Sequence, residues 1–368
     1  MRIAFYAPLK PPDHKVPSGD RRVARLFLDA LRLAGHEPFI ASRLRSFDAV
    51  GDASRQARLA ERGRETAARL VAGWRRQPQA APGLWFTYHL YYKAPDWIGP
   101  EVCAGLGIPY VVAEASLAMK RAAGPWAPGH RAVAAALRRA DRVIGVNSAD
   151  REGVLPLLAH RDRWLALPPF IDARNYAGSR HKPGTPSRLV TVAMMRPGDK
   201  LASYRVLGTA LNRLLDLAWT LEVIGDGPAR ADVETALAPL GARVRYAGAL
   251  SATVIAARLR AADLFVWPAI NEAYGMALLE AQAAGLAAVA GDSGGVGDVI
   301  ADGVTGLLTP PGDVAAFAAS VRGLVSDPAR CATLGGAGRE KIRRDHDLPL
   351  AAARLSAMIA MLMQARAA

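Results

Sequence analysis

The chain has 368 residues, of which 51% are hydrophobic and 22% are charged, and its formal net charge at pH 7 is +14. Such a chain can bury a sizeable core, its length favours two domains over one, and its composition excludes a disordered tail protein. No apolar run reaches the roughly 18 to 20 residues of a membrane span. The N-terminal MRIAFYAP resembles a first strand and lacks the longer apolar core of a signal peptide. We therefore expect a soluble cytoplasmic protein that begins at Met1.

The positive charge is concentrated in the first half of the chain. Residues 1–180 contain 28 Lys and Arg against 16 Asp and Glu, whereas residues 181–368 contain 19 against 17. This asymmetry suggests an acidic partner for one domain: an anionic membrane surface, a phosphorylated acceptor or nucleic acid. A solvated basic face explains the asymmetry equally well. Nucleic acid is the least favoured partner, because the arginines are dispersed and form no recognition motif.

Apolar strand-like runs alternate with helical stretches along the whole chain. Strands are predicted at residues 2–7, 38–42, 84–91, 110–115, 142–147, 164–168, 189–194, 221–225, 244–248, 264–269, 287–291 and 306–310. Helices are predicted at residues 20–35, 200–218, 229–240, 252–263, 276–285 and 313–326. Most strand runs are apolar throughout, as expected of parallel strands that are covered on both faces. The order predicts an α/β fold with parallel sheets.

The pattern runs twice, with a Pro-, Gly- and Ser-rich linker at residues 168–187. Residues 348–368 form a last helix whose broad apolar face needs a cover. The economical architecture has two Rossmann-like halves that face one another across a cleft. Its predicted domains are residues 1–172 with the helix 347–368, and residues 173–346. In open α/β sheets ligands bind at the carboxyl ends of the strands.

The segment NEAYGMALLE (271–280) holds two carboxylates, Glu272 and Glu280, on either side of a predicted helix start. The first amides of that helix, those of Gly275, Met276 and Ala277, form an anion site that suits a phosphate. One acid would then bind the hydroxyls of a sugar and the other the diol of a ribose. Alternatively, Glu272 is an ordinary helix-start acid and Glu280 is solvated.

Three further loops of the second half follow predicted strands. Arg196 and Lys200 flank a Pro-Gly turn and could hold a diphosphate. Gly225 begins a tight turn that is expected to shape the floor of the cleft, and Gly294–Gly295 could contact a diol or a phosphate. Taken alone, the two cations would be read as ordinary surface charge.

The first half offers weaker signals. Ser18 and Gly19, with Arg21 nearby, lie between the first strand and the first helix and could bring backbone amides close to a phosphate or an acceptor. His89 and Glu114 lie at strand ends and could line the cleft, although a lone strand histidine is more often structural. The two cysteines, Cys103 and Cys331, match no metal-ligand spacing and are expected to be buried.

The motifs EAYGMALLE, RPGDK (196–200), GDGP (225–228) and DGVTGLLTPPGD (302–313) together resemble the retaining nucleotide-sugar glycosyltransferases of family four, glycosyl transferases group 1, which have the GT-B fold. The second half matches throughout, and the first half matches mainly in layout. The chain departs from the family pattern at Ser18-Gly19-Asp20, at Leu201, and at Ala115, where a histidine that helps to position the donor sugar is common.

The resemblance implies that the C-terminal domain binds the donor, and that neither a metal nor a cofactor is needed beyond the nucleotide-sugar. It implies that Arg196 and Lys200 bind the diphosphate, that Glu272 lies near the donor sugar and that Glu280 binds the ribose. It also implies that the last helix crosses back onto the first domain.

Three functions remain open from the sequence. The leading hypothesis is metal-independent, retaining transfer of a hexosyl group to an envelope or polysaccharide acceptor, which could be lipid-linked, with peripheral contact to an anionic membrane. The second is a nucleotide-sugar 2-epimerase of the same fold. The third is a non-catalytic protein that binds a nucleotide-sugar and assists another enzyme.

Overall fold

The computed structural model describes residues 1–16, 18–180 and 184–367. The chain divides into two compact units: unit 1 is Met1–Pro168 with Leu348–Ala368, and unit 2 is Pro169–Asp347. The first boundary lies at Pro168 and not at the expected residue 172. The reason is that Ile171 pairs with Asp347, and its amide donates to the carbonyl of His346 at 2.9 Å, both within unit 2.

Unit 1 is built on a six-stranded sheet. Its strands are β1 (Arg2–Tyr6), β2 (Glu37–Ser42), β3 (Leu84–Leu90), β4 (Tyr110–Ala115), β5 (Arg142–Gly145) and β6 (Trp164–Ala166). The strands pair in parallel in the order β2-β1-β3-β4-β5-β6. The helices between them are α1 (Gly19–Leu33), α2 (Ala53–Arg76), α3 (Gly99–Leu106), α4 (Ala127–Arg139) and α5 (Arg151–Val154).

Unit 2 repeats the plan with a second six-stranded sheet. Its strands are β7 (Ser187–Val192), β8 (Trp219–Ile224), β9 (Val244–Gly248), β10 (Leu264–Trp267), β11 (Ala287–Gly291) and β12 (Gly306–Thr309). All pairs are parallel, in the order β12-β11-β10-β7-β8-β9. Its helices are α6 (Asp199–Asn212), α7 (Arg230–Leu237), α8 (Ala252–Ala261), α9 (Met276–Ala283), α10 (Val296–Val299), α11 (Val314–Val325) and α12 (Pro328–Asp345). The predicted α/β class with two parallel sheets is confirmed.

The last helix, α13 (Leu348–Ala367), belongs to unit 1 and packs against α1. Its buried face includes Leu355, Ile359 and Leu362. By length and composition Leu348–Arg366 could cross a membrane, which corrects the expectation that the chain contains no such segment. A helix with one buried face in a folded unit meets the same criterion, so this finding does not by itself indicate a span.

The order of each sheet reverses at one point. In unit 2 the reversal lies between β7 and β10, and in unit 1 between β1 and β3. Loops that leave the carboxyl ends of these strands diverge to opposite faces of the sheet and leave a crevice, where ligands of doubly wound proteins bind. These two edges are therefore where the candidate residues have to be sought.

A buried histidine anchors the start of unit 2 to its end. His346 is 1% exposed, its Nδ1 lies 2.8 Å from the carbonyl oxygen of Pro169, and its Nε2 lies 2.6 Å from Lys341 Nζ. The carbonyl requires a proton on Nδ1, so Nε2 accepts from the ammonium and the ring is neutral. Burial, together with the charge of Lys341, lowers the pKa of His346 to about 4.

We expect unit 2 to lose stability as the pH falls from about 6.5 to about 4, because in that window the unfolded chain binds a proton on His346 that the folded unit does not. One such group changes the free energy of unfolding by at most about 1.4 kcal/mol per pH unit. Hydrogen exchange of peptides around Pro169 and Lys341, measured through this range, reports the loss. His346→Gln should flatten the profile, whereas His160→Gln, at an exposed histidine, should not; equal profiles for the two variants would contradict the assignment.

Candidate functional site

The carboxyl ends of β7 and β10 bring together a cation and a carboxylate that lie 72 residues apart in the chain. Lys200 stands in the first turn of α6, and its Nζ donates to Glu272 Oε2. Trp267, the last residue of β10, donates from Nε1 to the same oxygen at 3.2 Å, and the Lys200 ammonium lies 5.3 Å from the centre of a Trp267 ring. The side chains of Lys200 and Glu272 are 28% and 16% exposed, so the pair is sheltered but reachable.

The loop that carries Glu272 is clamped onto α6. The Ile270 amide donates to Ser203 Oγ at 3.0 Å, and Asn271 Nδ2 donates to Asp199 Oδ2 at 2.9 Å. Asn271 has a φ of 49°, a left-handed conformation that asparagine tolerates better than most residues. Trp267, Asn271 and Ser203 were not singled out from the sequence. The one sequence signal for these residues was Asn271, because asparagine is common where a loop turns in the left-handed conformation.

Arg196, the other predicted cation, follows β7 as Lys200 does, but it is exposed. Among the described residues its guanidinium makes no hydrogen bond or ion pair. Its backbone is held by the amide of Leu201, which donates to the Arg196 carbonyl at 3.1 Å. The side chain is therefore available to a ligand at this edge, and its assignment to a diphosphate stays a prediction.

The helix α9 begins at Met276, directly after Gly275, which has a φ of 71°. The amides of Leu278 and Leu279 donate to the Gly275 carbonyl at 2.8 and 3.4 Å. The first amides of an α-helix, here those of Met276 and Ala277, have no partner within the helix and can receive an anion. Glu280 lies one turn further along and is only 2% exposed, so its role with a ribose remains a prediction.

The predicted glycines serve close packing of the backbone. A side chain at Gly225 would overlap the carbonyl oxygen of Ala193, and one at Gly294 would overlap that of Glu272. Gly295 donates its amide to the Ala273 carbonyl at 2.6 Å. Gly294 and Gly295 therefore seat the Glu272 loop in this structure, and a direct ligand contact by either stays a prediction.

The loop of unit 1 that contains Ser18, Gly19 and Arg21 is held by hydrogen bonds between its own residues. Ser18 caps α1 by accepting from the Arg21 amide at 3.2 Å, and Arg21 donates through Nη1 to the His14 carbonyl at 2.7 Å. Gly19 is the first residue of α1 and has open space around it. The Arg21 guanidinium is thus partly used by its own loop, and binding of a phosphate there stays a prediction.

His89 and Glu114, predicted to line the same cleft, meet at the carboxyl edge of the unit 1 sheet. His89 Nδ1 lies 3.7 Å from Glu114 Oε1 and 3.2 Å from Oδ1 of Asp20 on α1. Burial lowers the pKa of His89, but the carboxylates of Glu114, Asp20 and Asp150 outweigh it and raise the pKa to about 9. Burial raises the pKa of Glu114 more than His89 lowers it, whereas the pKa of Asp20 is lowered. His89 is therefore protonated at neutral pH and cannot accept a proton there.

No group of three or more His, Cys, Asp or Glu side chains that could hold a metal ion occurs in the part of the chain that the structure describes. The expectations of a metal-independent and cofactor-free reaction stay predictions.

The fold is that of the GT-B glycosyltransferases. Sucrose-phosphate synthase from Thermosynechococcus elongatus superposes with a TM-score of 0.75 at 20% sequence identity, over 99% of both chains. Residues 186–327 match the family described as glycosyl transferases group 1. The match lies within unit 2 and includes the segments whose motifs resemble this family.

Two curated relatives extend the comparison. The 2-deoxystreptamine glucosyltransferase of Streptomyces kanamyceticus is 31% identical over 239 residues, which are 63% of this chain and 59% of that protein. The GDP-mannose-dependent alpha-(1-6)-phosphatidylinositol monomannoside mannosyltransferase of Mycolicibacterium smegmatis is 29% identical over 221 residues, 55% of this chain and 57% of that protein. The chain spans less than two thirds of the length of either relative.

We expect Gly294→Ala to destabilise unit 2 more than Gly303→Ala does. Both glycines have a positive φ, 57° and 70°, so each substitution carries a conformational cost of about 1 to 2 kcal/mol. Only the Cβ at position 294 meets the Glu272 backbone, and this overlap adds about 1 to 3 kcal/mol. Urea denaturation measures both variants; equal losses would show that Gly294 does not seat the Glu272 loop.

Proposed function

We propose that the protein is a glycosyltransferase that moves a hexosyl group from a nucleotide-sugar held by unit 2 to an acceptor held by unit 1. The observation that carries the proposal is the Lys200–Glu272 pair at the reversal point of the unit 2 sheet, beside the first amides of α9. The family match over residues 186–327 supports the same reading.

The charges suit a departing diphosphate. As the bond between the anomeric carbon and the diphosphate oxygen breaks, negative charge grows on the leaving group, and fixed cations and amides stabilise it. An ammonium has three N–H donors, so Lys200 can keep Glu272 and also contact a phosphate oxygen. Arg196 can offer a planar fork to the same group.

We propose that the sugar retains its anomeric configuration and that no metal takes part. The acceptor oxygen forms the new bond to the anomeric carbon on the face that the diphosphate leaves, and the acceptor proton passes to the departing phosphate oxygen. Support comes from the motif resemblance and from the cations, which can neutralise the diphosphate in place of a metal.

We expect Lys200→Ala and Glu272→Ala each to lower the turnover number for release of nucleoside diphosphate by about 100-fold or more. The first variant removes a cation that stabilises the departing diphosphate, and the second removes the carboxylate that holds Lys200 in place and can stabilise the positive charge that grows on the sugar. The donor is first identified by a thermal-shift screen of nucleotide-sugars, because a ligand that binds only the folded state raises its stability. The matched control is the exposed pair Arg230–Glu234 of the same unit, at 2.8 Å. Its alanine variants should stay within about two-fold of wild type.

Wild-type rates in both site variants would contradict the assignment. NMR of a labelled nucleotide-sugar without acceptor detects the 2-epimerase alternative as a new epimer. Calorimetry that shows donor binding without turnover over a broad acceptor panel would favour the non-catalytic alternative.

For the acceptor we propose an envelope or polysaccharide glycan, free or lipid-linked, at a cytoplasmic membrane face. One relative is named for transfer to a phosphatidylinositol monomannoside and another for transfer to 2-deoxystreptamine, so both lipid and soluble acceptors occur among similar proteins. Unit 1 contains 28 Lys and Arg against 15 Asp and Glu, which favours a peripheral contact with anionic lipid.

The part of this positive charge that is best placed to reach a membrane lies on α2. Arg58, Arg62 and Arg69 are exposed on this helix and make no ion pair or hydrogen bond with any residue described by the structure. Each basic residue near an anionic surface contributes about 1 kcal/mol. The opposite face of α2 is buried through small and apolar residues such as Leu59 and Ala67, so the arginines point away from the core.

We expect the triple variant Arg58→Gln, Arg62→Gln, Arg69→Gln to bind phosphatidylglycerol vesicles about 100-fold more weakly than wild type, and wild-type binding to weaken with salt. Vesicle sedimentation is the measurement. The matched control replaces the exposed arginines of unit 2 at positions 205, 213 and 330 by Gln and should bind as wild type does. Equal binding to neutral vesicles at high salt would count against the membrane contact.

A further inference from the structure

Two cations of unit 1 share the same two aromatic rings. The rings of Tyr92 and Trp126 are 5.7 Å apart between centroids and nearly perpendicular, at 80°. Lys93 Nζ lies 5.9 Å from the Tyr92 centroid and 5.2 Å from that of Trp126. Arg121 Cζ lies 5.4 and 5.0 Å from the same two centroids. The rings thus form one half-buried surface with two positive charges on it.

Neither cation has a counter-ion among the described residues. Arg121 Nε is buried and has no hydrogen-bond partner there. Asp48 is close to Trp126, whose Nε1 donates to its backbone carbonyl at 3.4 Å. Its carboxylate, however, accepts from Gln56 at 2.9 Å and from the Val50 amide at 3.2 Å. A buried N–H without an acceptor and two half-buried cations without a counter-ion both cost free energy, and a bound anion would offset both costs.

The surface stands at the ligand-binding edge of the sheet. Tyr92 and Lys93 follow β3, and Arg121 and Trp126 lie between β4 and α4, so both segments leave carboxyl ends of parallel strands. Tyr91 connects this surface to the carboxylate cluster, with its ring 5.6 Å from Tyr92 and 5.0 Å from His89.

The aromatic rings are held in place before any ligand arrives. Gln56 Nε2 donates to the Pro125 carbonyl at 2.9 Å, which holds the residue before Trp126. The backbone of Tyr92 lies so close to Gly129 in α4 that any side chain at position 129 would overlap the Tyr92 carbonyl oxygen. The two rings therefore form a preorganised wall, which lowers the entropic cost of binding.

We propose that Lys93 and Arg121 form a phosphate-binding subsite that holds a phosphate group of the acceptor. The anion site itself stands on the geometry of unit 1, and only its assignment to the acceptor rests on the proposed glycosyl transfer. Arg121 offers N–H groups in a fork that matches phosphate oxygens, and Lys93 adds a point charge. The carboxylate cluster around His89 would repel the same anion, so the phosphate binds on the Trp126 side and the rest of the acceptor extends toward His89.

The test is hydrogen exchange of peptides that contain Tyr92–Lys93 and Arg121–Trp126, in a Lys200→Ala background so that the proposed donor site does not contribute. The probe is inorganic phosphate, against potassium chloride at equal ionic strength. Phosphate should protect both peptides. Lys93→Ala and Arg121→Ala should each weaken the apparent affinity by about ten-fold or more, the loss expected for a charged hydrogen bond. Arg121→Lys should lie between wild type and Arg121→Ala.

The matched control is Lys120→Ala, next to Arg121 but exposed and not over either ring. It should stay within about two-fold of its parent. A second arm replaces phosphate with phosphatidylglycerol or phosphatidylcholine vesicles. Protection by phosphate alone assigns a soluble phosphorylated acceptor, and protection also by the anionic vesicles assigns a lipid phosphate. Protection by neither, or protection that persists in Arg121→Ala, overturns the subsite.

Failure of this inference is distinguishable from failure of the proposed function. Nucleotide-sugar binding and donor hydrolysis depend on Lys200 and Glu272, whereas phosphate protection of the two unit 1 peptides depends on Lys93 and Arg121. If the protein hydrolyses no donor but phosphate protection depends on Arg121, the anion site is supported and the proposed transferase function is wrong. Donor hydrolysis together with an acceptor KM that Arg121→Ala does not raise would support the transferase and contradict the acceptor subsite.

Discussion

Every strand pair in both sheets is parallel, and the candidate sites depend on this one constraint. Parallel strands end at the same edge of a sheet, so the loops that follow them converge even when they are far apart in the chain. Lys200 follows β7, Glu272 follows β10, and the two meet because β7 and β10 are neighbours. In unit 1 the same constraint gathers Asp20, His89 and Glu114.

The two edges differ in their electrostatics in a way that fits different ligands. In unit 2 one carboxylate neutralises the charge of Lys200 while Arg196 stays exposed, so this edge can bind a further anion. In unit 1 carboxylates surround a protonated His89, and a separate pair of cations lies on the Tyr92 and Trp126 rings. The unit 2 edge suits a diphosphate. The unit 1 edge has two separate regions, so it can bind a polar glycan in one region and a charged group in the other.

The predictions from the sequence were strongest where one local pattern decides the structure. The strands were predictable because continuous apolar runs of their length are typical of buried parallel strands, and the start of α9 followed from Gly275. Four helices of more than one turn, α2, α3, α4 and α12, were not predicted. In α2, for example, the buried stripe is made largely of small residues such as Ala60, Gly63 and Ala67 between many arginines, which gives a weak apolar period. The boundary at Pro168 was missed because it depends on contacts between Ile171 and the far end of unit 2.

By itself the sequence determined the α/β class, the two repeats and the motif that carries Glu272 and Glu280, because periodicity, turn residues and short motifs are local properties. Only the tertiary structure decided that Trp267 and Lys200 share one oxygen of Glu272, that His89 is surrounded by carboxylates, and that Lys93 and Arg121 lie over the same rings. These arrangements join loops from different strands, and the distance between such loops is set by the order of strands in the sheet, which no local pattern encodes.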